Sequence, residues 1–220
     1  MTRSFATPPV RALVFDLDGL LVDSEPIWFE VEGGFLAGHG HVWTHELALR
    51  GMGQGTPNTL RMMRELFGIE VDVARDTERI VDGMIARADG MRLLPGARET
   101  IAWGRARGLP MAVASSSPRR LIEAVLAAKG IRASFAAVIS GQEVARAKPW
   151  PDVFLGAAEL LQVPIEACVV LEDSLAGTKA AVAAGARVIA VPTHASAELD
   201  ALATAVLPSL EGVAALIDAG

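Results

Sequence analysis

The chain has 220 residues, 51% of them apolar and 5% aromatic, with no tyrosine, one cysteine and a formal net charge of −6. This length suits a core domain with an insertion, and the Ala/Val/Leu-rich composition argues against an all-β fold. The negative balance argues against nucleic acid and anionic membrane as partners. Cys168 cannot form an intrachain disulfide, and its place within an apolar run implies a packing role in a reducing, cytoplasmic setting. The apolar stretch after Arg11 is too short for a signal peptide, and the stretch 180–191 is interrupted by Arg187 and too short to span a bilayer.

In chain order, Ala12-Leu13-Val14-Phe15 reads as a buried parallel strand that stops on Asp16-Leu17-Asp18-Gly19. From Asp23 to Gly90 no buried-strand run appears and apolar residues fall at helical spacing. Helices are expected over Pro26 to Ala37, Thr44 to Leu49, Pro57 to Phe67 and Asp76 to Ala88. From about Met91 onward strands and helices alternate. A helix over Ala97 to Arg107 precedes a strand over Leu109 to Ala114. Ser117 is expected to cap a helix with Pro118 at its first position, running to Lys129. A short strand over Phe135 to Ile139, a helix from Pro151 through Leu161, a strand over Cys168 to Leu171, a helix capped by Ser174 and a last strand over Arg187 to Val191 complete the pattern. The expected fold is α/β: a Rossmann-like parallel sheet with helices on both faces, formed by 1–22 and 91–220, plus an all-helical cap inserted over 23–90.

Asp-x-Asp-Gly alone also opens calcium loops and ordinary turns. Recurrence separates the readings. Met111-Ala112-Val113-Ala114 ends on Ser115-Ser116-Ser117, Cys168-Val169-Val170-Leu171 ends on Glu172-Asp173-Ser174, and Lys148-Pro149 lies between them. Open α/β sheets keep their chemistry at the carboxyl ends of strands, so these residues are expected to converge. Four carboxylates in one pocket need a cation, and all-oxygen donors favour Mg²⁺ over zinc. The implied substrate is a small phosphate ester. Phosphoryl transfer needs a nucleophile, neutralised equatorial oxygens and a proton for the leaving oxygen. Asp16 is the expected nucleophile and Asp18 the general acid and base. Ser115, Ser116 and Lys148 would hold the phosphate, and Asp16, Asp18, Glu172 and Asp173 the metal.

These segments resemble the haloacid dehalogenase superfamily, in its phosphatase and β-phosphoglucomutase-like group with a helical cap. The resemblance rests on Phe15 to Glu25, Val113-Ala114-Ser115, Lys148 to Phe154 and Val170 to Ser174, in order across nearly the whole chain. It implies an aspartyl-phosphate on Asp16, metal ligation by the Asp18 carbonyl, phosphate contacts from Ser115 and Lys148, and metal ligation by Asp173 with Glu172 beside it. Dehalogenases lack the second acid of the first motif, so Asp18 argues for phosphate chemistry. β-Phosphoglucomutases carry a cap histidine where this chain has Trp28, and a cap arginine that falls near Gln54. Phosphonate-cleaving relatives use a cap lysine, and 23–90 has none.

A phosphatase acting on a sugar or polyol phosphate is therefore expected, with Glu25, Trp28 and Gln54 as candidate specificity residues. The alternatives are a sugar-phosphate mutase and a non-catalytic binding protein on the same fold. A monomer or weak homodimer is expected. His39, His41 and His45 lack an acid at metalloprotease spacing and read as a solvated surface cluster.

Overall fold

The computed structural model describes residues 8–51, 55–193 and 196–219. Its strands are β1 (Ala12–Phe15), β2 (Val22–Asp23), β3 (Arg92–Leu93), β4 (Met111–Ser115), β5 (Ala137–Ser140), β6 (Cys168–Glu172), β7 (Arg187–Ala190) and β8 (Ala205–Val206). The α-helices are α1 (Glu25–Ala37), α2 (His45–Gly51), α3 (Thr56–Phe67), α4 (Val73–Ile85), α5 (Ala97–Ala106), α6 (Arg119–Ala128), α7 (Asp152–Leu161), α8 (Leu175–Ala184), α9 (Ala197–Leu202) and α10 (Val213–Ala219).

Six strands form one parallel sheet in the order β5-β4-β1-β6-β7-β8. Because side chains alternate across a strand, each strand feeds two cores. Leu13, Phe15, Val113, Val169 and Leu171 face one side, where α5, α6 and the C-terminal segment pack through Ile101, Leu121, Val125, Leu210 and Val213. Ala12, Val14, Ala112, Ala114 and Val170 face the other, covered by α7 and α8 through Phe154, Ala157, Ala180 and Ala181. Cys168 is buried in that second core, as its position in the strand pattern implied.

Helices α1 to α4 bury a smaller core of their own, built on Leu36, Trp43, Leu60, Met63 and Ile80. Val81, Met84 and Ala88 instead join the core on the sheet, so this helical layer is seated on the sheet domain. Arg120 of α6 reaches across to Glu78 at 2.6 Å and Asp82 at 2.5 Å on α4. The two chain crossings between the layers pair with each other as the antiparallel β2–β3 ribbon, closed by an Arg92–Asp23 ion pair at 2.7 Å.

Four local differences from the sequence expectation have identifiable causes. Helix α4 begins three residues earlier than its apolar spacing indicates, because the Asp72 side chain accepts from the Arg75 backbone N–H at 3.1 Å and caps it. Helix α6 is preceded by Pro118 as its cap residue rather than by Ser117, whose hydroxyl is engaged elsewhere. The strand β7 is not the last, since β8 adds a two-residue edge that is too short to show a period. The ribbon strands β2 and β3 are equally short and equally invisible to pattern.

Candidate active site

The carboxyl ends of β1, β4 and β6 lie side by side because β1 pairs with β4 on one edge and β6 on the other. This register carries Asp16, Ser115 and Glu172 to one end of the sheet. Asp16, Asp18, Ser115, Ser116, Ser117, Lys148 and Asp173 then line a cavity of about 610 Å³ that is roofed by α1, α2 and α3.

Lys148 is the hub. Its ammonium donates to Asp16 Oδ1 at 2.5 Å, to Glu172 Oε1 at 2.6 Å and to the Ala114 carbonyl at 3.1 Å. Burial works against its charge, but the Asp16 and Glu172 carboxylates outweigh that and hold it above the usual lysine range. It is therefore a fixed cation beside Asp16.

Asp18 receives a different set of donors. Ser24 Oγ donates to its Oδ1 at 2.7 Å and the Trp28 indole N–H to the same oxygen at 3.2 Å. Ser117 Oγ donates to Oδ2 at 2.7 Å, with Ser115 Oγ at a looser 3.3 Å. Two of these donors come from the sheet domain and two from the entrance to the cap, so Asp18 sits where the layers meet.

Glu172 is fully buried and is absent from the cavity wall. Its Oε1 holds Lys148, and its Oε2 accepts from the Ser174 backbone N–H at 3.0 Å and the Ser174 hydroxyl at 2.9 Å. The sequence grouped Glu172 with the metal ligands. In the structure both of its oxygens are engaged, one by Lys148 and the other by Ser174.

Asp16 and Asp173, with Asp18, are the strand-end acids that line the cavity. Burial raises Asp16 above its ordinary value, with Lys148 opposing and Glu172 and Asp18 adding to the rise. Burial also raises Asp173 well above the ordinary range, and Glu172 and Asp16 push the same way. Gly19, at φ +77°, permits this crowding, since a Cβ there would lie 2.3 Å from Asp173 Oδ2. Carboxylates that mutually resist ionisation fit a cation between them. Among the described residues no three Asp, Glu, His or Cys groups are placed to chelate an ion unaided. A bound cation would thus draw on two carboxylates and on backbone, water and phosphate oxygens, the donor set that Mg²⁺ accepts.

Of the candidate specificity residues, Glu25 and Trp28 line the cavity, and Gln54 lies outside the described residues. Among the described residues the three histidines form no metal-binding group. His39 packs on Phe35, His41 on Phe67, and His45 stacks on Phe29 with 4.3 Å between ring centroids. His45 also lines the cavity.

Sequence reading missed Ser24, Ser117, Ser174 and Glu32 as parts of the site. The signal for Glu32 was present: Glu25, Trp28, Phe29 and Glu32 fall at i, i+3, i+4 and i+7, one helix face, and all four line the cavity. Ser117 was hidden by the proline that follows it, which made a helix cap the simpler reading.

A parallel sheet with acids and a buried lysine at its strand ends, roofed by helices, defines a class of hydrolase. The family model "Hydrolase: haloacid dehalogenase-like hydrolase" matches residues 10–185. Hexitol phosphatase B of Escherichia coli K12 is 36% identical over 194 residues, covering 83% of this chain and 84% of its own length. Fructose-1-phosphate phosphatase YqaB of the same organism is 34% identical over 180 residues, covering 79% of this chain and 92% of its own. The crystal structure of CbbY from Rhodobacter sphaeroides in complex with phosphate superposes with a TM-score of 0.83 at 27% identity, covering 93% of this chain and 96% of that one. The chain belongs to the haloacid dehalogenase-like hydrolases. It is an enzyme of phosphatase type, which closes the non-catalytic alternative. No helix among the described residues is long and apolar enough to cross a membrane.

Proposed function

We propose that the chain hydrolyses the monophosphate of a small sugar or polyol through an aspartyl-phosphate on Asp16, with Mg²⁺ as cofactor. The observation that carries this reading is the division of labour between two neighbouring aspartates. Asp16 is held by a buried cation 2.5 Å away, whereas Asp18 is held by hydroxyl and indole donors. A fixed positive charge beside the nucleophile aligns it and favours its ionised form against the opposing effect of burial, and the same ammonium offsets charge that develops on the phosphoryl oxygens. A second carboxyl that lacks a cation partner can carry the proton that the leaving oxygen needs and later take one from water.

Ser115 and Ser116 line the same cavity and supply hydroxyls to the phosphoryl group. Glu172 acts through Lys148, as a positioning residue. Asp16, Asp173 and the Asp18 carbonyl would hold Mg²⁺, which neutralises the carboxylates and polarises the phosphoryl oxygens when bound. The sugar or polyol assignment is supported by the hexitol and fructose-1-phosphate phosphatases among its relatives. The mutase alternative loses support from Trp28, whose indole already donates to Asp18 at the place where mutases carry a histidine.

The test is phosphate release from a panel of hexitol, hexose, glycolate and nucleotide phosphates, with Mg²⁺ and with EDTA, for the native protein and Asp16→Asn. Metal-dependent release with a sugar or polyol preference, lost in a folded variant, is the expected result. Release by Asp16→Asn at the native rate would exclude Asp16 as nucleophile. Turnover that appears only after priming with a sugar bisphosphate would restore the mutase.

A further inference from the structure

The roof of the cavity holds an acid that the reaction chemistry does not use. Glu32 lies on the inner face of α1 with 8% of its surface exposed, and it lines the same cavity as Asp16 and Asp18. No cation or hydrogen-bond donor among the described residues pairs with it. Its carboxyl opens onto the cavity, where the hydrogen-bond donors of a bound molecule can reach it. Burial alone accounts for its altered proton affinity, which is raised to about 7.

A second orphan shares the wall. The Thr56 hydroxyl at the start of α3 is buried and has no hydrogen-bond partner among the described residues. Thr56 and Thr59 both line the cavity, whose wall also includes Trp28, Phe29 and Leu49. An acceptor, hydroxyls and flat apolar surfaces together match a chain of carbons that carries several hydroxyl groups. The acid, where ionised, also disfavours a second phosphate on the same molecule, which would meet it rather than a cation.

We propose that Glu32, with Thr56, selects the leaving group by accepting hydrogen bonds from its hydroxyls, so that the cap admits neutral polyhydroxy monophosphates and rejects bisphosphates. This rests on the phosphatase reading and names the part of the molecule that recognises the alcohol. Glu32 is a specificity residue remote from the phosphoryl group.

The test compares kcat/KM for a hexitol monophosphate with that for phenyl phosphate, whose leaving group has no further hydroxyl, in native protein, Glu32→Gln and Thr56→Val. Glu32→Gln preserves shape, and Thr56→Val removes a hydroxyl that bonds to nothing among the described residues, so thermal melting is expected to show both folded. The hexitol-to-phenyl ratio should fall about 10- to 100-fold in Glu32→Gln and several-fold in Thr56→Val, chiefly through KM. Activity on a hexose bisphosphate relative to the monophosphate should rise in Glu32→Gln. A ratio within about twofold of native in Glu32→Gln, or equal losses on both monoesters, overturns the inference while leaving the phosphatase reading intact. A native protein that releases phosphate from neither ester overturns both.

Discussion

Two acids in the same cavity carry opposite instructions. Asp16 is buried against Lys148 and would be misplaced without it, whereas Glu32 is buried with no charged partner among the described residues and has its proton affinity raised to about 7. The second case has a consequence for stability that is separate from substrate selection. Unfolded, Glu32 releases its proton near the ordinary value of 4.5; folded, it keeps that proton until about 7. The folded state therefore binds the extra proton within this window, and stability falls as pH rises through it, then levels above. Below about 4.5 both states are protonated and no difference remains. The full effect is on the order of 3 kcal/mol from one carboxyl. Glu32→Gln removes the proton exchange, so the stability gap between variant and native protein should widen from pH 5 to pH 8 in favour of the variant. Urea denaturation at the two pH values measures it, and a gap that does not change with pH would show that Glu32 is solvated when charged.

At the scale of elements, the junction between β6 and α8 shows how a local rule is overridden. Ser174 caps α8 by accepting from the Gly177 backbone N–H at 3.0 Å, and the same Ser174 donates to Glu172 Oε2. A Cβ on Gly177 would lie 1.7 Å from Glu172 Oε1, so the helix can begin here only with glycine facing the buried acid. Helix propensity alone would make Gly177→Ala stabilising by about 1 kcal/mol. The contact reverses the sign: Glu172 must move, and Lys148 loses one of its two carboxylates. We expect a loss of roughly 2–4 kcal/mol and at least a hundredfold drop in kcat, read by melting and by phosphate release. An active and stabilised Gly177→Ala would remove Glu172 from the role of holding Lys148. The sequence showed the strand ends and the acids on them, because parallel strands of one sheet must align their chemistry at one edge. It did not show that Glu172 turns inward, since that depends on which cation reaches it through space. The ribbon of β2 and β3 and the edge strand β8 escaped notice for a different reason: two residues have no period.

For the whole molecule, sheet and cap are assembled around a site that works against the stability of both. Asp16 is buried and Asp173 half-buried, both with raised proton affinities increased by neighbouring acids, and Asp18 is held jointly by Ser117 from below and by Ser24 and Trp28 at the cap entrance. Binding of a cation by Asp16 and Asp173 would relieve this repulsion in the folded state only, so it should stabilise the entire molecule by mass action. At about a hundred times its dissociation constant the gain is about 2.7 kcal/mol, or roughly 5–10 °C in melting temperature for a chain of this size. Asp173→Asn separates the two contributions. Without one of the crowded acids the variant should melt at or above the native temperature in EDTA, yet gain little from added Mg²⁺ and release little phosphate. Differential scanning calorimetry with EDTA and with Mg²⁺ reads each part. A variant that melts lower in EDTA would show that Asp173 supports the fold. An undiminished Mg²⁺ shift would place the cation away from Asp173, and the assignment of Asp173 as its ligand would fall.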